Sequence, residues 1–283
     1  MRKISNYISL IIIMLIVSNC GNNEYGYTLE KGKDGIFVEY FDNSYTNDNR
    51  YTQNNTVYLE GNNYTLNYTH LSNTGDSLFF DLQFGTENWE FCSIQNKCDT
   101  TVFIVEMTVM HGIEPFGEIY PGYNQTIIRY NYLNDKDTKW LQQSRTGIID
   151  NEKNIWMHLP RVGYFKILEL NPFPYIQAPY EVGNTWEWSL VIGGHYGDER
   201  WREWNGNTEN TYRYEITDIS LKPTAFGEIE CYEILSTGTG EIGDTKLISW
   251  FNFDYGFVKL DYTNIDNSKT IIELEEFEIG VVK

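Results

Sequence analysis

Histidine is scarce in this chain, four residues in 283. His70, His111, His158 and His195 stand far apart, so the paired histidines of an HExxH zinc protease are excluded. Cysteine is as rare: Cys20, Cys92, Cys98 and Cys231. A structural zinc site of two close cysteine pairs cannot be built from them. A G-x-S-x-G elbow, a phosphate-binding loop and a G-x-G-x-x-G fingerprint are also missing. The acidic stretches at residues 42–48 and Asp135-Lys136-Asp137 lack EF-hand spacing and its glycine. No motif therefore implies a cofactor, a metal or a catalytic residue. Basic residues are outnumbered, 21 Lys and Arg against 40 Asp and Glu, for a formal charge of −19. Such a chain repels phosphate, which argues against nucleic acid as a partner.

Long apolar runs are missing as well. The longest, at residues 8–17, is half the length of about 20 residues that a spanning helix needs. Behind Arg2 and Lys3 it reads as a secretory signal peptide. What the chain does have is aromatic mass: 22 Tyr, 15 Phe and 8 Trp. That is enough to build a core and excludes a disordered chain.

The apolar run ends at Val17-Ser18-Asn19-Cys20, which resembles a bacterial lipobox of the looser kind found in Bacteroidota. The resemblance implies a signal peptide over residues 1–19, a diacylglyceryl group on Cys20 followed by acylation (palmitate is the expected chain) and a lipid-anchored tether over residues 20–26. Several acyl chains hold a protein far more firmly than one. The expected address is the cell envelope, most simply the outer membrane, with the leaflet left open. Asp76-Ser77-Leu78 and Asp99-Thr100-Thr101 resemble the O-glycosylation motif of the same bacterial group.

Period-two alternation runs through the rest of the chain. Leu78, Phe80, Leu82 and Phe84 share a face, as do Phe103, Val105, Met107 and Val109. Ile128, Tyr130 and Tyr132 oppose Arg129 and Asn131. Trp186, Trp188, Leu190 and Ile192 oppose Thr185, Glu187 and Ser189. Tyr212, Tyr214 and Ile216 oppose Arg213, Glu215 and Thr217. Leu247, Phe251 and Phe253 form a late face. The pattern predicts an all-β, antiparallel fold with one face buried and one wet. Only residues 137–144 read as weakly helical.

In two runs the apolar face slips by one residue: Ile229 and Cys231 give way to Tyr232 and Ile234, and Ile272 and Leu274 to Phe277 and Ile279. A one-residue slip is what a β-bulge produces, and bulges coil a sheet. A curled sheet, open barrel or sandwich is therefore expected. Pro172, Pro174 and Pro179 are poor central-strand residues, so residues 171–180 read as a connector. It separates an N-terminal β region at 27–170 from a C-terminal β domain at 171–283. The strand order from Pro179-Tyr180-Glu181-Val182-Gly183-Asn184-Thr185-Trp186 through Tyr214-Glu215-Ile216, residues 227–234 and Trp250-Phe251 to Tyr255-Gly256-Phe257-Val258-Lys259 is similar to bacterial envelope proteins of the DUF3108/TapB-like kind. It implies a sheet that curls in the manner of LolA/LolB-type carriers and transfers no active-site residue.

Three features remain as candidate sites. Cys92 and Cys98, in a C-x5-C loop, are candidates for a disulfide in an oxidising compartment. Cys231 reads as a small buried hydrophobe. Residues 193–206 are long for a hairpin loop, and Arg200, Trp201, Arg202 and Trp204 there could form a platform for a sugar or peptide. The opposing reading has the tryptophans capping the sheet, with the arginines paired to Asp198, Glu199 and Glu203.

The chain is thus expected to be a lipid-anchored envelope protein with a non-catalytic binding or structural role. Its expected partners are the membrane through the lipid and a glycan, lipid or envelope protein. The alternatives are a lipid or lipoprotein carrier with a hydrophobic groove, which a fully packed interior would exclude, and a glycan hydrolase using paired carboxylates.

Overall fold

Inward-facing aromatics set the architecture. Tyr130, Tyr132, Tyr212, Tyr214, Phe251 and Tyr262 are fully buried, whereas Glu215 and Lys246 on the same or neighbouring strands are exposed. In a computed structural model, which describes residues 26–42, 45, 47–83, 88–120, 122–134 and 141–280, this alternation becomes two sheets. β1 (Tyr27–Lys31) and β2 (Phe37–Phe41) form a small hairpin. The other 15 strands form one sheet: β3 (Asn63–Leu71), β4 (Ser77–Leu82), β5 (Trp89–Ser93), β6 (Thr101–Val102), β7 (Ile104–Val109), β8 (Thr126–Leu133), β9 (Gln142–Asp150), β10 (Asn154–Met157), β11 (Tyr175–Gln177), β12 (Thr185–Gly193), β13 (Asn207–Thr224), β14 (Gly227–Gly240), β15 (Gly243–Asn252), β16 (Gly256–Thr263) and β17 (Lys269–Glu278).

The main path runs β11-β10-β9-β8-β7-β3-β17-β16-β15-β14-β13-β12, with β4, β5 and β6 branching from β3. Every pairing is antiparallel, so the all-β, antiparallel reading holds, in the form of a nearly closed barrel. Strands from both sides of residue 170 share this one sheet, joined where β3 pairs with β17 from Leu71↔Lys269 to Asn63↔Glu278. Gly280 N donates to Asn62 Oδ1 just beyond that ladder, across 218 residues of sequence.

The two ends of the path, β11 and β12, meet through side chains. The Tyr175 and Trp186 rings lie 5.6 Å apart, and Asn184 Nδ2 donates to Gln177 O at 2.8 Å. The β1–β2 hairpin lies over this seam. Phe37 N donates to Asn154 Oδ1 beside β10, and the hairpin turn at Gly35 comes so close to β12 that a Cβ there would stand 2.7 Å from Glu187 O.

Curling has the predicted cause in part. β17 carries a bulge between Leu274 and Glu276, where its apolar face slips. Around Ile234 the irregularity lies in the partner strand, between Ile216 and Asp218 of β13. A third stands opposite Trp250 and Phe251 of β15, where β16 carries the extra residue Val258. Each puts two residues against one and increases the local twist.

The reading of residues 171–180 as a pure connector is corrected, since Tyr175–Gln177 pairs with β10. The weak helix at 137–144 is corrected too. Residues 135–140 lie outside the described residues, and from Gln142 the chain is strand. The chief helical segment is elsewhere, a 3-10 helix at Gly163–Leu170 with every residue buried except Lys166.

That helix fills the barrel. Arg161 N and Val162 N donate to Tyr132 OH on β8. The Tyr164 hydroxyl meets His70 Nδ1 on β3 at 2.7 Å and Thr270 Oγ1 on β17. Leu170 O accepts from Asn210 Nδ2 on β13 and Thr245 Oγ1 on β15, and Phe173 O accepts from Tyr214 OH. The segment is thus tied to strands all round the wall by these bonds, while Glu169 Oε1 stays buried without a hydrogen-bond partner. Gly163 makes the entry possible. Its φ is +60°, and a Cβ would stand 2.7 Å from the Phe80 ring. The apolar cavity between Tyr58, Met107, Met157, Phe257 and Leu274 holds about 10 Å³, room for one water at most. This part of the interior is filled by packed side chains.

Candidate functional site

The loop at 193–206 does not form an open platform. Trp201 is buried, stacks on Trp89 of β5 with centroids 5.8 Å apart, and donates from Nε1 to Tyr196 O. Arg200 grips Asp198 with two hydrogen bonds, 2.7 Å from Nε and 2.6 Å from Nη2. Its Nη1 donates to Trp89 O at 2.8 Å, and the guanidinium lies 3.6 Å from the Trp89 ring centroid. Arg202 joins the turn through its backbone, exchanging two hydrogen bonds with Asp198. Trp204 is half-buried against the core. The donors of Arg200 go to Asp198 in the loop and to Trp89 on β5, which ties the loop down as a cap on the barrel.

Cys20 lies outside the described residues. The bridge expected between Cys92 and Cys98 is not formed, and both are free thiols. Thr101 Oγ1 stands 3.8 Å from each sulfur and donates to Asp81 Oδ1 at 2.5 Å. Burial pushes the Cys92 thiol up to about 11. Cys231 is fully buried and likewise raised to about 11.

The buried carboxylates Glu39 and Asp150 flank a cavity of about 10 Å³, too small for a sugar. Asp150 accepts from Thr56 N, Thr56 Oγ1, Val57 N and Tyr58 N, which pins the 51–58 segment to β9. Glu39 is raised to about 8, chiefly by burial. This pair has the access of a structural anchor and not of a hydrolase cleft.

Among the described residues, three surface hollows stand out as large enough for a ligand. One, of about 680 Å³ on β12–β14, is lined by Glu187, Arg213 and Glu215, with Arg213 bonded to Glu187 at 2.7 Å. A second, of about 320 Å³, is lined by Trp250, Lys259, Glu273 and Glu275, with Lys259 bonded to Glu273 at 2.7 Å. The third, of about 380 Å³, differs in sign. Its charged lining is Arg145 and Arg161, beside His158, and among the described residues no carboxylate lines it.

Three separate segments build this third hollow. The β7–β8 connection supplies Phe116, Tyr120, Tyr123 and Gln125; β9 supplies Arg145 and Gly147; the strand exit after β10 supplies His158 and Arg161. The Phe116 ring packs edge-on against Tyr123 at 5.2 Å and Tyr120 at 5.8 Å. Gly147 lacks the Cβ that would collide with the Gln125 side chain. Arg161 is positioned by its own backbone bond to Tyr132 and by a guanidinium contact to Arg145 O at 3.4 Å.

Behind the hollow lies a buried acid–base pair. His158 Nδ1 donates to Leu159 O at 3.1 Å, leaving Nε2 as an acceptor 3.5 Å from Glu169 Oε1. Burial drives His158 down to about 3, and burial raises Glu169 to about 7 against the pull of Arg161. The pair is therefore neutral histidine facing a carboxyl that holds its proton below about pH 7. Tyr196, beside Arg161 and Glu169, is raised by burial. Sequence reasoning missed Arg145, Arg161, Tyr123 and Glu169. The only available signal was arginine on strands of an acidic chain, and Arg129 and Arg213 share it.

No family model and no curated protein matches the chain. Three solved structures show partial likeness. One is a candidate exported protein from Bacteroides fragilis with a YmcC-like fold, at 14% identity over 80% of this chain and 99% of that one, TM-score 0.40. Another is a candidate lipoprotein from Parabacteroides distasonis, at 10% identity over 78% and 97%, TM-score 0.37. A further one is the hypothetical lipoprotein YmcC from Escherichia coli, at 9% identity over 81% and 92%, TM-score 0.30.

Proposed function

We propose that this is a cell-envelope protein, lipid-anchored at Cys20, that binds a partner on the outside of a filled β body and performs no catalysis. One observation carries the binding half of this reading. The barrel interior is occupied by the chain's own Gly163–Leu170 helix, tied to β3, β8, β13, β15 and β17, so ligands have only the outer surface. The anchor half rests on Val17-Ser18-Asn19-Cys20 behind a short apolar run. The similarity of residues 179–259 to DUF3108/TapB-like envelope proteins belongs to the same reading and rests on strand order.

Native mass spectrometry of the whole protein, extracted gently from envelopes, tests both halves. The expected result is a covalent acyl mass on the peptide that begins at Cys20, and no non-covalent lipid. Cys20→Ala should shift the protein from the membrane to the soluble fraction. A non-covalent acyl species released by organic solvent would restore the carrier. An unmodified Cys20 in membrane-bound protein would overturn the anchor.

A further inference from the structure

We propose that the hollow between Arg145 and Arg161 is a binding site for an acidic saccharide, a carboxylate carried on a sugar ring. This deepens the outward-binding reading and rests on it for access to the surface.

The argument begins with charge. In a chain of 40 acids and 21 bases, the other two large hollows carry a carboxylate bonded to their cation. Here two guanidinium-bearing residues are brought together, with Arg161 Nη2 on the carbonyl of Arg145, and the lining holds no carboxylate. Like charges gathered in a concave site raise the local potential and draw an anion. Guanidinium is also the side chain best matched to the paired oxygens of a carboxylate.

The second observation is independent of charge. Tyr123 belongs to this lining, and its hydroxyl is cut off from solvent and makes no hydrogen bond. A buried hydroxyl without a partner is costly, and a ligand oxygen at this position would satisfy it. Burial keeps the phenol protonated, so it is available as a donor beside Arg161.

The rim supplies the ring selectivity. Tyr120 is 57% exposed, and Ile119 next to it 58%. An aromatic face at the mouth of a polar pocket suits the apolar face of a pyranose, whose hydroxyls then point to Gln125 and Tyr123. A bare inorganic anion would use the arginines and leave that rim idle.

The test is isothermal titration of the whole protein with three probes: a hexuronate trimer, the neutral hexose trimer of the same linkage, and inorganic phosphate. The expected result is saturable binding of the hexuronate, with the neutral trimer and phosphate each at least about tenfold weaker. Arg145→Gln should lose about tenfold in hexuronate affinity with an unchanged Tm, and Tyr120→Ala should lose hexuronate affinity without altering phosphate binding. Equal binding of the neutral trimer would overturn the role of charge. Equal binding of phosphate would overturn the saccharide. No hexuronate binding by a folded protein would overturn the site, while the lipid-free mass expected above would still leave outward binding standing.

Discussion

Two clusters of arginine and aromatic rings sit on this barrel, and they have opposite fates. In the loop at 193–206, Arg200 meets Asp198 twice, the Trp89 carbonyl once and the Trp89 ring face. In the hollow on β9, Arg161 meets the Arg145 carbonyl oxygen, and the two arginines share a lining with three aromatic rings and, among the described residues, no carboxylate. The residue types are the same. What separates a cap from a binding site is whether the protein supplies its own anion. A guanidinium bonded to a carboxylate inside the fold contributes to stability, and one facing a concavity without a carboxylate bonded to it remains available to a ligand.

The contrast can be broken or sharpened in four ways. The largest effect should come from Gly163→Ala, because both clusters are built against the helix it admits. A left-handed φ and a Cβ 2.7 Å from Phe80 should cost about 3 kcal/mol, read as a lower calorimetric Tm. Next, Arg200→Ala removes the loop's ion pair and its ring contact. A loss of about 2 kcal/mol is expected in denaturant titration, with hexuronate affinity unchanged. If stability did not move, the cap assignment would fall. Arg145→Gln should do the reverse, altering stability by less than about 0.5 kcal/mol while affinity falls by about 1.4 kcal/mol.

The smallest effect is pH dependence. Glu169 has its folded pKa raised from 4.5 to about 7. The folded state therefore binds more protons between those values, so this group's contribution to stability falls as pH rises from 4.5 to 7 and is flat above. Ionisation above about 7 also places a negative charge behind Arg161, so anion affinity should weaken by about two- to threefold. His158, held near 3, stays neutral throughout. Titrations repeated with Glu169→Gln should show no such step.

Where strands pair with their sequence neighbours, the fold was legible. From Trp186 and Trp188 through Tyr212 and Tyr214 to Leu247 and Phe251, each alternating run became an inward face of β12, β13 or β15. The slip at Leu274 became a bulge. Phe253, placed by alternation on a buried face, is 40% exposed because β15 ends at Asn252. The filling helix was not legible. Gly163–Leu170 is buried at every residue but Lys166, it is only eight residues long, and its buried Glu169 reads as a surface residue. The candidate hollow was invisible for another reason. Its arginines come from two segments and its rings from a third, and proximity across them exists only once β8, β9 and β10 are paired. The loop at 193–206 drew attention because its groups are contiguous, and contiguity is also what lets them satisfy one another.

The ladder between β3 and β17 has a bearing on how the chain can reach this form. The chain is made from its N-terminal side, so β3 is delivered early and its partner only after some 200 further residues, as the 218-residue span from Asn62 to Gly280 shows. Closing so long a loop is slow and leaves β3 with an open edge meanwhile. Such an edge can recruit strands from other chains. A chain cut short before β17 would keep that edge open permanently.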